Sequence, residues 1–108
     1  MTEAILLYAT APDAECAQRI SEKLVEDELA ACVNVLPTMH TVYRWRGEVE
    51  SAEETPVLVK TTSGAAAAAR DAIIEAHPYD CPCVLALPIR GDLSSSAFLD
   101  WIGSATKS

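Results

Sequence analysis

The chain has 108 residues, half of them hydrophobic, and a formal net charge of −8 from 16 acidic and 8 basic side chains. That length builds one hydrophobic core, so residues 1–108 read as a single domain. The charge argues against nucleic acid, whose phosphates need clustered Lys and Arg, and disfavours anionic membrane surfaces.

Met1-Thr2-Glu3 carries no basic leader, and Ile5-Leu6-Leu7-Tyr8 is too short for a signal-peptide core. No apolar run reaches the length of a membrane span, so no membrane is expected as a partner. The expected compartment is the cytoplasm, where Cys16, Cys32, Cys81 and Cys83 stay reduced. These cysteines include no C-x-x-C, so neither a zinc ribbon nor a thioredoxin-like site is indicated.

In chain order, Glu3–Thr10 predicts a strand whose continuous apolar centre is covered on both faces. Thr10-Ala11-Pro12-Asp13 predicts a helix start with proline in the first turn. Ala17, Ile20, Leu24 and Val25 then repeat at helical spacing as far as about Leu29.

Cys32–Trp45 and Glu48–Thr61 predict a long hairpin about Arg46-Gly47. If those two residues are the loop, Trp45 pairs with Glu48 and Pro37 falls opposite Pro56, which predicts a bulge or break. Val33 to Trp45 would span roughly 43 Å when extended. A compact chain of this length has a radius of gyration of about 13 Å. The ribbon must therefore bend at its prolines or project, and its open edges invite a second subunit.

Ser63-Gly64 opens a second helix running to Ala76, with Ala69, Ala72, Ile73 and Ala76 on one narrow face. Cys83–Ile89 is the fourth strand, and Ser94–Ser104 a terminal helix carrying Phe98 and Trp101. The order is βαββαβ plus a C-terminal helix: an α+β, ferredoxin-like sandwich with a long hairpin between its second and third strands.

Several of these segments also carry a family resemblance. Thr10-Ala11-Pro12-Asp13, Leu29-Ala30-Ala31-Cys32-Val33-Asn34, Tyr43-Arg44-Trp45-Arg46-Gly47, Leu58-Val59-Lys60-Thr61-Thr62, His77-Pro78-Tyr79 and Phe98-Leu99-Asp100-Trp101 resemble, in this order, the motifs of the CutA divalent-cation tolerance proteins. The resemblance covers nearly the whole chain. It implies a ferredoxin-like homotrimer whose hairpins reach across to neighbouring subunits. It also implies a role in metal-ion response, binding of copper or another divalent cation, and no catalytic activity.

Two departures bear on that implied metal site. Copper-binding bacterial members have a cysteine just before Thr-Ala-Pro-Asp and a histidine pair before Pro-Tyr. This chain has Ala9 and Ala76-His77 there, so His77 alone remains of the three ligands. Pro82-Cys83 stands where the family usually has Pro-Glu, which leaves two thiols, Cys81 and Cys83, close to that histidine.

On the residues alone, His77, Cys81 and Cys83 are the candidate metal ligands, with chemistry suited to Cu(I). Extended backbone sets Cys81 and Cys83 roughly 6.6 Å apart, and metal–sulfur bonds of about 2.3 Å permit chelation if the side chains converge. The competing reading makes Cys83 a buried hydrophobe, Cys81 a loop thiol and His77 a helix-ending cap. Cys32 reads as core packing, and Cys16 receives no functional role.

Tyr43, Trp45, Lys60 and Tyr79 are candidate pocket or interface residues, Lys60 as an anion anchor and Trp45 as interface packing. Glu48, Glu50, Glu53 and Glu54 read as a solvated face of the hairpin. The alternative function is a signalling module of the PII type, binding a small anionic ligand at inter-subunit clefts through Lys60 with Arg44 or Arg46. An enzyme is not expected, since no Ser-His-Asp order, Gly-rich phosphate loop or H-E-x-x-H is present. The residues name no downstream protein partner.

Overall fold

The computed structural model describes residues 3–107. Its first strand, β1 (Ala4–Ala11), continues through Thr10 and Ala11, so the helix starts later than the sequence suggests. Asp13 is the N-cap of α1 (Ala14–Glu26), accepting a 2.8 Å hydrogen bond from the Cys16 N–H. Pro12 therefore precedes the cap instead of occupying the first turn. The helix closes through Glu28 in the left-handed region (φ 57°), with the Leu29 N–H donating to the Leu24 carbonyl at 2.9 Å. That is a Schellman closure without its usual glycine.

The predicted second strand is two strands, β2 (Cys32–Val35) and β3 (Met39–Trp45), both paired with β4 (Glu48–Thr62). The break falls at Leu36-Pro37-Thr38. Val35 pairs with Val57 and Met39 with Glu54, so three residues face two and the register shifts by one. Proline lacks the ladder N–H, and the chain bulges where Pro37 would have faced Pro56. The distal register is the expected one, with Trp45 opposite Glu48. Arg46 and Gly47 both have positive φ (52° and 83°), a type I′ turn that matches the strand twist. The radius of gyration is 14.4 Å and the longest dimension 45 Å, so the hairpin projects.

After α2 (Ala66–Ala76) come β5 (Val84–Pro88), a short 3₁₀ turn (Gly91–Leu93) and α3 (Ser96–Ala105). The strand order is β2-β4-β1-β5, every pair antiparallel, so β1 and β2 run parallel with β4 between them. Alternation sends Leu7, Ala9, Val57 and Val59 to the face covered by α1 and α2. There they meet Ile20, Leu24, Ala69 and Ile73, the last two buried as the periodicity predicts, whereas Ala76 is exposed.

The opposite face is only partly covered. Leu99 and Ile102 of α3 pack on Ala4 and Ala31, leaving Phe98 and Trp101 on the surface. Beyond α3, Leu85 and Leu87 of β5 pair with Tyr8 and Leu6 and are 58% and 45% exposed. The β5 side of this sheet face is thus apolar and open.

Candidate functional site

Side chains of interest meet where the hairpin leaves the globule, at the end of β1 and the loop 77–83. α2 ends at His77, whose backbone turns extended before Pro78. The ring is 8% exposed and reaches back to β1, with Nε2 2.7 Å from the Thr10 carbonyl oxygen. The Tyr79 N–H donates to Nδ1 at 3.1 Å. A carbonyl can only accept and an amide can only donate, so Nε2 carries the hydrogen and Nδ1 the lone pair. The Tyr79 ring lies against the imidazole, with centroids 4.6 Å apart.

This arrangement bears directly on the metal ligands read from the sequence. Both nitrogens of His77 are engaged, so ligation requires one of these hydrogen bonds to break. Cys83 is half-buried beside the Thr10 hydroxyl, and burial pushes its thiol pKa up against the opposing hydrogen bond. A raised thiol is a protonated one, the opposite of a prepared thiolate ligand. Cys81 is exposed. Among the described residues no three His, Cys, Asp or Glu side chains converge on one point. One chain brings His77 and Cys83 to the same Thr10 but does not assemble a three-ligand set.

The four pocket candidates separate into two places. Tyr43 and Trp45 ride on the projecting hairpin, the Arg46 guanidinium 5.5 Å from the Trp45 ring. Tyr79 stands at the hairpin base. Lys60 lies ten residues along β4 from Glu50, the partner of Tyr43, or about 33 Å of strand. It sits under α3 with Nζ 5.4 Å from the Phe98 ring, at a cleft of about 310 Å³ lined by Leu6, Ile89, Ser94 and Ile102. Within one chain Lys60 therefore cannot act with Arg44 or Arg46 on one anion.

Two residues at the hairpin base went unnoticed in the sequence. Glu54, grouped there with the solvated acids, is 8% exposed, while Glu48, Glu50 and Glu53 are exposed as expected. Tyr8 reaches from β1 toward the same place, its hydroxyl 4.0 Å from the sulfur of Met39, the cross-strand partner of Glu54. Burial first, then Cys83 and the Glu54 carboxylate, push the Tyr8 pKa up. Burial and then Glu54, Tyr43, Cys16 and Asp13 do the same to Tyr79. The signal for Glu54 was its position beside the proline break, opposite an apolar methionine.

Comparisons with known proteins agree along the whole chain. The family model described as CutA1 divalent ion tolerance protein matches residues 5–105. A divalent-cation tolerance protein CutA from Thermus thermophilus is 41% identical over 106 residues, 98% of this chain and 99% of that one. The crystal structure of CutA1 from Oryza sativa superposes with a TM-score of 0.93 at 33% identity, covering 99% of this chain and 96% of the other. A structure from Archaeoglobus fulgidus, described as a periplasmic divalent cation tolerance protein, has a TM-score of 0.90 at 38% identity, covering 96% and 99%.

Proposed function

The chain belongs to the CutA1 divalent ion tolerance family, and on that premise we propose that it is a non-catalytic, ferredoxin-like homotrimer that binds copper or another divalent cation in metal-ion response. The observation that carries the cation role is the match to the divalent ion tolerance family over residues 5–105, and the donors nearest to hand are in the loop 77–83, where His77 is pinned to β1, Cys81 is exposed and Cys83 is half-buried. Thiolates are soft donors that select Cu(I), and metal binding deprotonates them. His77 completes the set once Tyr79 releases Nδ1.

The open sheet face supports assembly. Leu85 and Leu87 form part of an apolar surface that water meets in a lone chain. The projecting hairpin supplies Tyr43 and Trp45, the residue types that anchor interface cores. We also propose a cytoplasmic location, a compartment in which its four cysteines would stay reduced. Native mass spectrometry of reduced protein, with and without Cu(I), tests the reading: three chains with metal bound support it, and a metal-free monomer refutes it.

A further inference from the structure

We propose that the open edge of β2 and the adjoining flank of α1 form a docking groove for an extended basic peptide segment, which adds a strand to the sheet. β2 lies at one end of the strand order and pairs only with β4. Just beyond it the Leu36 N–H donates to the Pro56 carbonyl at 3.0 Å. In an antiparallel pair such bonds fall on every second residue, so Asn34 and Cys32 also face β4. The N–H and C=O groups of Val33 and Val35 therefore point away from the sheet. The other side of β4 agrees. The Ser63 N–H donates to the Glu3 carbonyl at 3.0 Å, which turns Val57, Val59 and Thr61 toward β1 and leaves Leu58 and Lys60 for β2. An unpaired row of this kind is a template for a further strand. The break at Leu36-Pro37-Thr38 keeps the guest short, paired over Cys32–Val35.

The groove beside this edge has an apolar floor and an acidic rim. It encloses about 330 Å³, with Val25, Val33 and Val35 on the floor and Gln18, Glu22 and Glu26 along α1. Val33 packs on the core, while Val25 and Val35 are 43% and 38% exposed. The three polar residues stand four apart and form one stripe along the helix. The basic residues of α1 are engaged elsewhere, Arg19 with Glu15 and Lys23 with Asp27. Glu22 accepts a 3.1 Å hydrogen bond from the neutral amide of Gln18. Among the described residues neither Glu22 nor Glu26 forms an ion pair.

These features select the guest. Pairing with Val33 and Val35 requires an extended backbone. Glu22 and Glu26 stand about 6 Å apart along the helix axis, close to the roughly 6.6 Å between alternate residues of a strand. Lys or Arg at two such positions lays its methylene stem over the valines and brings its charge to the rim. The net charge of −8 draws a basic partner at longer range, whereas an acidic segment would meet two carboxylates of its own sign. The groove lies at the β2 edge on the helix-covered face, and Leu85 and Leu87 lie at the β5 edge on the opposite face. It is thus separate from the surface proposed for assembly, and it uses none of His77, Cys81 and Cys83.

The test titrates ¹⁵N-labelled protein, in the assembly state it adopts, with a short end-blocked peptide of alternating threonine and lysine. The same peptide with glutamate in place of lysine is the control. Amide signals of Val33 and Val35 should move saturably and their hydrogen exchange should slow, while Leu99 on α3 stays still. Glu22→Gln combined with Glu26→Gln should weaken binding about twofold to thirtyfold, the range of two exposed ion pairs. Val35→Pro removes an outward donor without touching the β4 ladder and should weaken binding about twofold to tenfold. Equal binding of the glutamate peptide would overturn the proposal, as would an affinity unchanged by the paired glutamine variant. Shifts that spread over the acidic surface and leave Val33 and Val35 unmoved would do the same. Slow exchange at these two amides before any peptide is added would show that a second copy already holds the edge, which also overturns it. Should Val35→Pro fail to fold, the wild-type titration and the glutamine variant still decide.

Discussion

The imidazole Nε2 of His77 donates to the carbonyl oxygen of Thr10 at 2.7 Å across 67 residues of sequence. This bond ties the end of α2 to the end of β1, and the Tyr79 N–H anchors the other side of the ring. Replacing His77 by Phe keeps the bulk but strands both a carbonyl and an amide. Each buried group left unpaired costs about 1–3 kcal/mol. His77→Phe should lower stability by that order in denaturant unfolding and speed hydrogen exchange at residues 78–83. An unchanged midpoint would mean that water replaces the ring without loss.

The left-handed Glu28 is the clearest stored strain. A glycine there keeps the Schellman hydrogen bonds and removes the Cβ conflict, so Glu28→Gly should stabilise the chain by about 0.5–1 kcal/mol. Gly47 gives the converse case. A Cβ there meets nothing within 4 Å, so Gly47→Ala should cost about 1 kcal/mol from backbone conformation alone. Chemical denaturation of the two variants checks both signs.

Alkaline pH should destabilise the fold. Burial is the first cause of raised pKa values at Tyr8, Tyr79, Cys16 and Cys83. A raised value means that the folded chain holds these protons after the unfolded chain has released them. The stabilisation is complete below the ordinary thiol value of 9.0 and is lost as pH rises through the folded values. Melting temperature should stay level up to about pH 9 and fall beyond it, with Cys83 alkylated more slowly than the exposed Cys81.

The open sheet face makes its own prediction about assembly. Burying Leu85 and Leu87 against a neighbour would be worth about 1.5–3 kcal/mol for each side chain fully covered. Leu85→Lys should therefore shift sedimentation toward single chains while leaving circular dichroism intact. A Leu85→Lys protein that sediments as wild type places the interface elsewhere.

Much of the fold was legible because local chemistry and tertiary structure agree. Arg46-Gly47 is a hairpin turn by residue type, and the break at Pro37 follows from two missing ladder donors. Pro12 misled because Thr10 and Ala11, apt for a helix start, are held in β1 by pairing with Pro56 and Thr55. Strand alternation separates Glu54 from Glu53, but which of the two faces is buried is decided by the tertiary packing at the hairpin base. The partnership of His77 with a carbonyl 67 residues away is likewise invisible to spacing rules. Histidine beside two thiols reads as a free ligand, whereas the fold engages both of its nitrogens, one of which must be released before it can ligate.

The central claim is best tested by anaerobic Cu(I) titration of reduced protein against a competing chelator, comparing wild type with Cys83→Ser. The account predicts a fixed ratio of Cu(I) per chain and at least roughly tenfold weaker binding in the variant, as losing a thiolate ligand implies. Binding that the chelator abolishes entirely in wild type, or that Cys83→Ser leaves unchanged, would contradict it.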